Sequence, residues 1–257
     1  EFMWEPLAVR SLGSYTTTQN LYKNKYGNKI IFEEINHDLE LIFRYQWSSS
    51  NTFGFIKKSK LINTSDSAVK ISLLDGIQNI MPASIGSDEQ NQSSNLVDAY
   101  KRNELEEKTG LGIFALSAIL VDKAEASEAL KANLVWSLGL DNPKHLLSSL
   151  QLNNFRLGKP IKQEVDVKAE KGAYFLTTDI FLEKGAYKEW MIVANVHQNH
   201  SSIAKLSKQI RDDSSLLEKV NNDINLGTKR LVELNSASDA IQVSSDNLKD
   251  TRHFANT

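Results

Sequence analysis

The hydrophobic period of this sequence changes once, near His200, and that change limits what the chain can fold into. Between about Asn28 and Val196 the apolar residues come in short runs rich in Ile, Val, Leu, Phe and Tyr, broken by Asn, Asp, Ser and Gly. Such punctuation belongs to strands and turns. After His200 they recur every three or four residues, at Ile203, Leu206, Ile210, Leu217, Val220, Ile224, Leu231 and Leu234, with Asp213 and Gly227 as the interruptions. A stripe of that spacing is one helix face pressed against a partner surface. Ser201-Ser202 reads as its N-cap, and Gly227 as the place where it bends or breaks. The expected organisation is a β domain over residues 1–198 and a helical segment over residues 199–257.

Inside the β body, Gly27–Ile35 and Leu39–Trp47 predict a hairpin around Asn36-His37-Asp38. Leu39, Leu41, Phe43 and Tyr45 alternate with Glu40, Arg44 and Gln46, as a half-buried strand requires. Phe53–Asn63 and Ala68–Ile77 predict a second hairpin. Further strands are expected at Leu111–Val121, near Leu130–Leu138, and at Gln163–Lys168, Ala173–Glu183 and Tyr187–His197. No helices alternate with them, so the pattern fits a mainly β, antiparallel sandwich and not a parallel α/β sheet. Residues 85–109 read as a long polar excursion ending in a short helix around Leu96–Lys108, and Pro143–Leu152 as another short helix.

Composition narrows the function classes. Thirty basic residues stand against 32 acidic ones, a balance that argues against a nucleic-acid groove or a polybasic membrane surface. With no cysteine, thiolate nucleophiles, iron–sulfur clusters and thiolate zinc are excluded. The longest apolar runs are too short to span a bilayer. No signal segment opens the sequence, so the default expectation is a cytoplasmic protein.

A search for chemistry returns no catalytic residue, no metal site and no cofactor site. Asp75, flanked by apolar residues, reads as half of a turn-forming Asp-Gly pair at a strand end in preference to a catalytic carboxylate. Glu33-Glu34 with His37 and Asp38 suit a solvated hairpin better than a divalent ion. His197 and His200 have a ligand-like spacing, but straddle the change from strand to helix with no third ligand beside them. The glycines form no phosphate-cradling loop and no nucleophile elbow. Among the aromatics Trp4, Trp47, Trp136, Trp190, Tyr22, Tyr26 and Tyr45, core filling is the ordinary role. Trp47, at a strand end beside Ser48-Ser49-Ser50-Asn51, is the candidate carbohydrate-binding residue.

The run Tyr26-Gly27-Asn28-Lys29-Ile30-Ile31-Phe32-Glu33-Glu34, then Leu39–Trp47 and Phe53-Gly54-Phe55-Ile56, resembles the front end of cellobiose-phosphorylase-like carbohydrate-active enzymes. Leu74-Asp75-Gly76-Ile77-Gln78-Asn79-Ile80-Met81-Pro82, Ser127-Glu128-Ala129-Leu130-Lys131-Ala132 and Arg252-His253-Phe254-Ala255-Asn256 extend the likeness. The resemblance implies an N-terminal β-supersandwich of the galactose-mutarotase-like kind, joined by linker helices to a catalytic (α/α)6 barrel absent from this sequence. It implies a parent glycoside phosphorylase or glycosyltransferase acting on β-linked glucosides, whose catalytic residues lie mainly in the barrel.

Three functional expectations follow. The first is a non-catalytic domain that braces the barrel, shapes its active-site rim and supports a homodimer. The second is a carbohydrate-binding module holding a β-glucan or oligosaccharide on exposed aromatics. The third and weakest is a mutarotase-like epimerase, which needs a histidine acid and a carboxylate base converging in one cleft, with His37, His145 and His197 the available histidines.

Overall fold

The computed structural model describes residues 3–117 and 131–237. Twelve strands and five α-helices are present among them. In chain order they are β1 (Thr17–Lys23), β2 (Ile30–Asn36), β3 (Leu41–Ser50), β4 (Gly54–Asn63), β5 (Val69–Ile80), α1 (Ser87–Gln92), α2 (Ser94–Tyr100), β6 (Lys101–Glu106), β7 (Leu111–Leu116) and β8 (Lys131–Leu138). There follow β9 (Lys144–Leu146), α3 (Leu152–Arg156), β10 (Asp166–Lys168), β11 (Gly172–Leu182), β12 (Tyr187–Asn199), α4 (His200–Asp212) and α5 (Leu216–Ala237). The molecule is mainly β and antiparallel, with helices at the C-terminal end, as the period of the sequence predicts.

Nine strands form one sheet in the order β1-β2-β3-β4-β12-β8-β7-β6-β10, and three form a second in the order β5-β11-β9. Two compact units emerge. One contains Met3 and the described residues of 70–181 and 192–216; the other contains those of 4–69, 182–191 and 217–237. In the first unit Phe114, Leu134, Trp136, Leu146, Tyr174 and Leu176 are fully buried. In the second, Leu41, Phe43, Leu61 and Trp190 are buried on one side of the sheet. Phe43 and Trp190 have ring centroids 6.2 Å apart, within the range of favourable aromatic pairing.

Several local expectations are corrected. Phe53–Asn63 and Ala68–Ile77 form no hairpin, since β4 and β5 lie in different sheets. Helix α4 is capped by Asn199, whose side chain accepts from Ser202 N, and not by Ser201-Ser202. Asp75-Gly76 does not end a strand: both lie inside β5. Gly76 is there for close approach, since a Cβ would fall 2.3 Å from the Tyr174 carbonyl oxygen of β11. The helix expected over Leu96–Lys108 stops at Tyr100, and Lys101–Glu106 continues as β6 with alternating burial. Pro143–Leu152 is no helix; it supplies β9, and α3 begins only at Leu152. Finally, the helical stripe is interrupted at Asp213 and not at Gly227, through which α5 runs unbroken. Asp213 accepts hydrogen bonds from Ser215 N and Ser215 Oγ at 3.1 and 2.6 Å, the side-chain turn that starts a new helix. Parts of the strands expected at Leu111–Val121 and near Leu130–Leu138, part of the matching segment Ser127–Ala132, and all of Arg252–Asn256 fall outside the described residues.

Candidate functional site

Trp47 sits on β3, and the register of the flanking strands defines its neighbours. One row across the sheet is Leu21, Phe32, Tyr45 and Ser59; the next is Lys23, Ile30, Trp47 and Lys57. Phe55 pairs with Ser49, two residues beyond Trp47 and on the same face. Phe32 and Tyr45 stack at 4.9 Å with 17° between ring planes, and the Lys57 ammonium lies 5.1 Å from the Tyr45 ring centre. Trp47 is 37% exposed, Phe55 56% and Leu21 66%. The result is an apolar strip, two of its aromatic rings open to solvent, on a four-stranded support.

The other face of β1–β4 is polar. Glu33, only 1% exposed, accepts hydrogen bonds from Asn20 Nδ2 (2.8 Å), Tyr22 Oη (2.9 Å) and Arg44 Nε. Burial alone would raise its pKa, but these donors outweigh burial and hold the carboxyl below its usual range. Across the sheet, Lys58 and Lys60 each stand 3.2 Å from Glu189 on β12, and the Lys60 ammonium caps the Tyr187 ring at 3.6 Å. Helix α5 covers one end of this face. Asp223 accepts from Ser50 Oγ and from Thr52 N (3.1 Å) and Thr52 Oγ1 (3.2 Å), while Asn28 Nδ2 donates to Thr228 Oγ1 at 3.0 Å. Val220 and Ile224, on the same side of the helix as Asp223, are buried.

The remaining residues singled out by the sequence have structural partners. Glu34, on the Trp47 face, accepts from Trp4 Nε1 (2.6 Å), Leu7 N (2.8 Å) and Gln19 Nε2 (2.7 Å), which ties the N-terminal segment to β2. Trp136 and Trp190 are core residues. His37 is exposed beside Thr18 Oγ1 at 2.9 Å, and Asp38 accepts from Thr16 N at 2.7 Å. His197, two residues before the end of β12, has a left-handed backbone (φ 54°), its N–H donating to Asn133 Oδ1 at 2.9 Å; His200 opens α4. Among the described residues no group of three or more potential ligands could hold a metal ion.

His145 is buried, with its ring centre 5.6 Å from that of Tyr174. Desolvation pushes its pKa below the ordinary value, outweighing a hydrogen bond with Gln163 that favours the charged form. The Tyr174 hydroxyl donates to the Gly110 carbonyl oxygen at 2.6 Å. Here it is burial that favours the neutral imidazole, against the pull of Gln163. Sequence reasoning missed a further cluster: Glu164 accepts from Leu147 N, Ser148 N, Ser148 Oγ and Gln151 Nε2 at 2.7–3.1 Å. Nothing in the local sequence marks it, because its donors lie 13–17 residues away.

No protein-family model matches the sequence, and no curated protein matches it. Among solved structures the chain is similar to a bacterial glucoamylase complexed with acarbose, at 12% identity and a TM-score of 0.49, over 84% of this chain and 28% of that one. It is also similar to a putative kojibiose phosphorylase from the human microbiome, at 9% identity and a TM-score of 0.36, over 95% of this chain and 25% of that one. The chain thus spans about a quarter of the length of each of these structures.

Proposed function

We propose that this chain is a non-catalytic β domain (residues 1–198) with linker helices (residues 199–257), belonging to a larger enzyme that acts on β-glucosides by phosphorolysis or glycosyl transfer. Its work is to brace the catalytic barrel and shape the rim of that barrel's active site. The observation that carries this reading is the hydrogen bonding of four of its acids. A general acid needs a carboxyl whose pKa is raised toward neutrality. Glu33 and Asp223 are each held by three donors and shifted the opposite way; Glu34 and Glu164 are engaged by three or more donors each. They serve as internal staples. The uncovered strip of Leu21, Trp47 and Phe55 supplies an apolar surface of the kind a neighbouring domain covers.

A second reading, a carbohydrate-binding module, is favoured by one specific feature: Trp47 and Phe55 are two exposed rings on one sheet face. Both readings are tested by calorimetric titration with short β-linked glucans, with turnover assayed in the same samples after adding phosphate. No binding and no turnover is the result expected for the bracing domain. Saturable binding without turnover, lost in Trp47→Ala, would move the assignment to the module. Turnover by this chain alone would overturn both.

A further inference from the structure

The polar face opposite Trp47 holds a cluster that neither reading uses. Its central rows are Tyr22, Ile31, Gln46 and Lys58, and then Asn20, Glu33, Arg44 and Lys60. We propose that Arg44, with Gln46 beside it, is a binding site for an oxyanion, namely a carboxylate or phosphate group of a small ligand. Only one edge of the Arg44 guanidinium is engaged: Nε is tied to Glu33, while the side chain remains 42% exposed. Among the described residues, its two terminal amino groups have no hydrogen-bond partner. Gln46, two residues along the same strand and on the same face, has none for its amide either. Two donors on a planar fork with an amide alongside match the geometry of a bidentate oxyanion contact.

Three further observations fit an anion and not a cation. The buried Glu33 carboxylate is itself fixed by Asn20 and Tyr22, so the plane of the guanidinium is set before any ligand arrives, on a strand and not on a loop. Around Arg44 the cationic side chains Arg44, Lys58 and Lys60 outnumber the carboxylates Glu33 and Glu189 three to two, with Asp223 at the far end of the face against Ser50. The half-buried Ile31 and Ile42 flank Arg44 and Gln46, giving the less polar body of such a ligand a surface to lie on. The site and the Trp47 strip occupy opposite faces, so the failure of one leaves the other standing.

The test is a titration of the whole chain, followed by amide chemical shifts, with inorganic phosphate, with glucuronate and with glucose as a neutral control. Saturable millimolar binding of phosphate or of glucuronate, and none of glucose, is expected. Phosphate alone would mark a free-oxyanion site, and glucuronate alone a site for acidic sugars; both support the proposal. Arg44→Lys keeps the charge but loses the fork, and should weaken binding by about tenfold. Because Arg44 also holds Glu33, Gln46→Ala provides an independent variant that touches no internal bond; it should weaken binding by a smaller factor, while Trp47→Ala leaves it unchanged. The proposal is overturned if neither anion saturates, if glucose shifts the same amides, or if both Arg44→Lys and Gln46→Ala bind as the parent does.

Discussion

Single residues in this fold are most constrained where backbone and ring meet. Gly110 turns the chain between β6 and β7 at φ +71°, and a Cβ there would lie 2.5 Å from His145 Nε2. Gly110→Ala therefore combines backbone strain with overpacking, and should lower the unfolding free energy by about 2–4 kcal/mol, read from urea midpoints. His145 adds a pH dependence of defined sign. Its folded pKa lies below the ordinary 6.5 because burial disfavours the imidazolium. The stability it contributes is complete above pH 6.5 and is lost as pH falls from there through the lowered folded value. His145→Gln should flatten that part of a stability–pH curve. None of this can be read from the sequence, where His145 is one histidine in a β body; the ring it touches is supplied by Tyr174, 29 residues later.

Elements are legible wherever burial differs between two faces. The alternation of Leu41 and Phe43 with Ile42 and Arg44 specifies β3, and the structure keeps it. Strand β1, Thr17–Lys23, escapes the sequence reading because it is an edge strand with little to bury; polar edges are how sheets avoid further pairing, and they erase the signal. The helical stripe is legible in kind but not in phase. Once the chain breaks at Asp213, the buried positions of α5 become Leu216, Val220 and Ile224, and Leu217 turns outward. Ile224→Ala should cost about 2–4 kcal/mol, measured by chemical denaturation. Gly227 has the opposite character: a methyl group added there would meet nothing nearer than the Ser49 carbonyl oxygen at 4.0 Å, an ordinary contact. Gly227→Ala should stabilise the protein by about 0.4–1 kcal/mol through helix propensity, visible as a raised melting temperature.

For the whole molecule, the candidate site is legible only as one ring. Trp47 can be named from the sequence, although β3 runs on to Ser50 and does not end there, but Leu21, Phe32 and Phe55 join it through register, which the sequence does not display. Trp47→Ala should change stability by less than about 1 kcal/mol, since the ring is partly exposed; a larger loss on chemical denaturation would assign it to the core. The seating of α5 carries a separate consequence, for biosynthesis. Ser50 waits for Asp223, 173 residues later, and Asn28 for Thr228, 200 residues later. At ribosomal speeds of ~5–20 residues per second, that is a gap of roughly ten to forty seconds. Throughout it, the end of the nascent sheet around Ser48, Ser50 and Ile56 stands without the helix that later covers it.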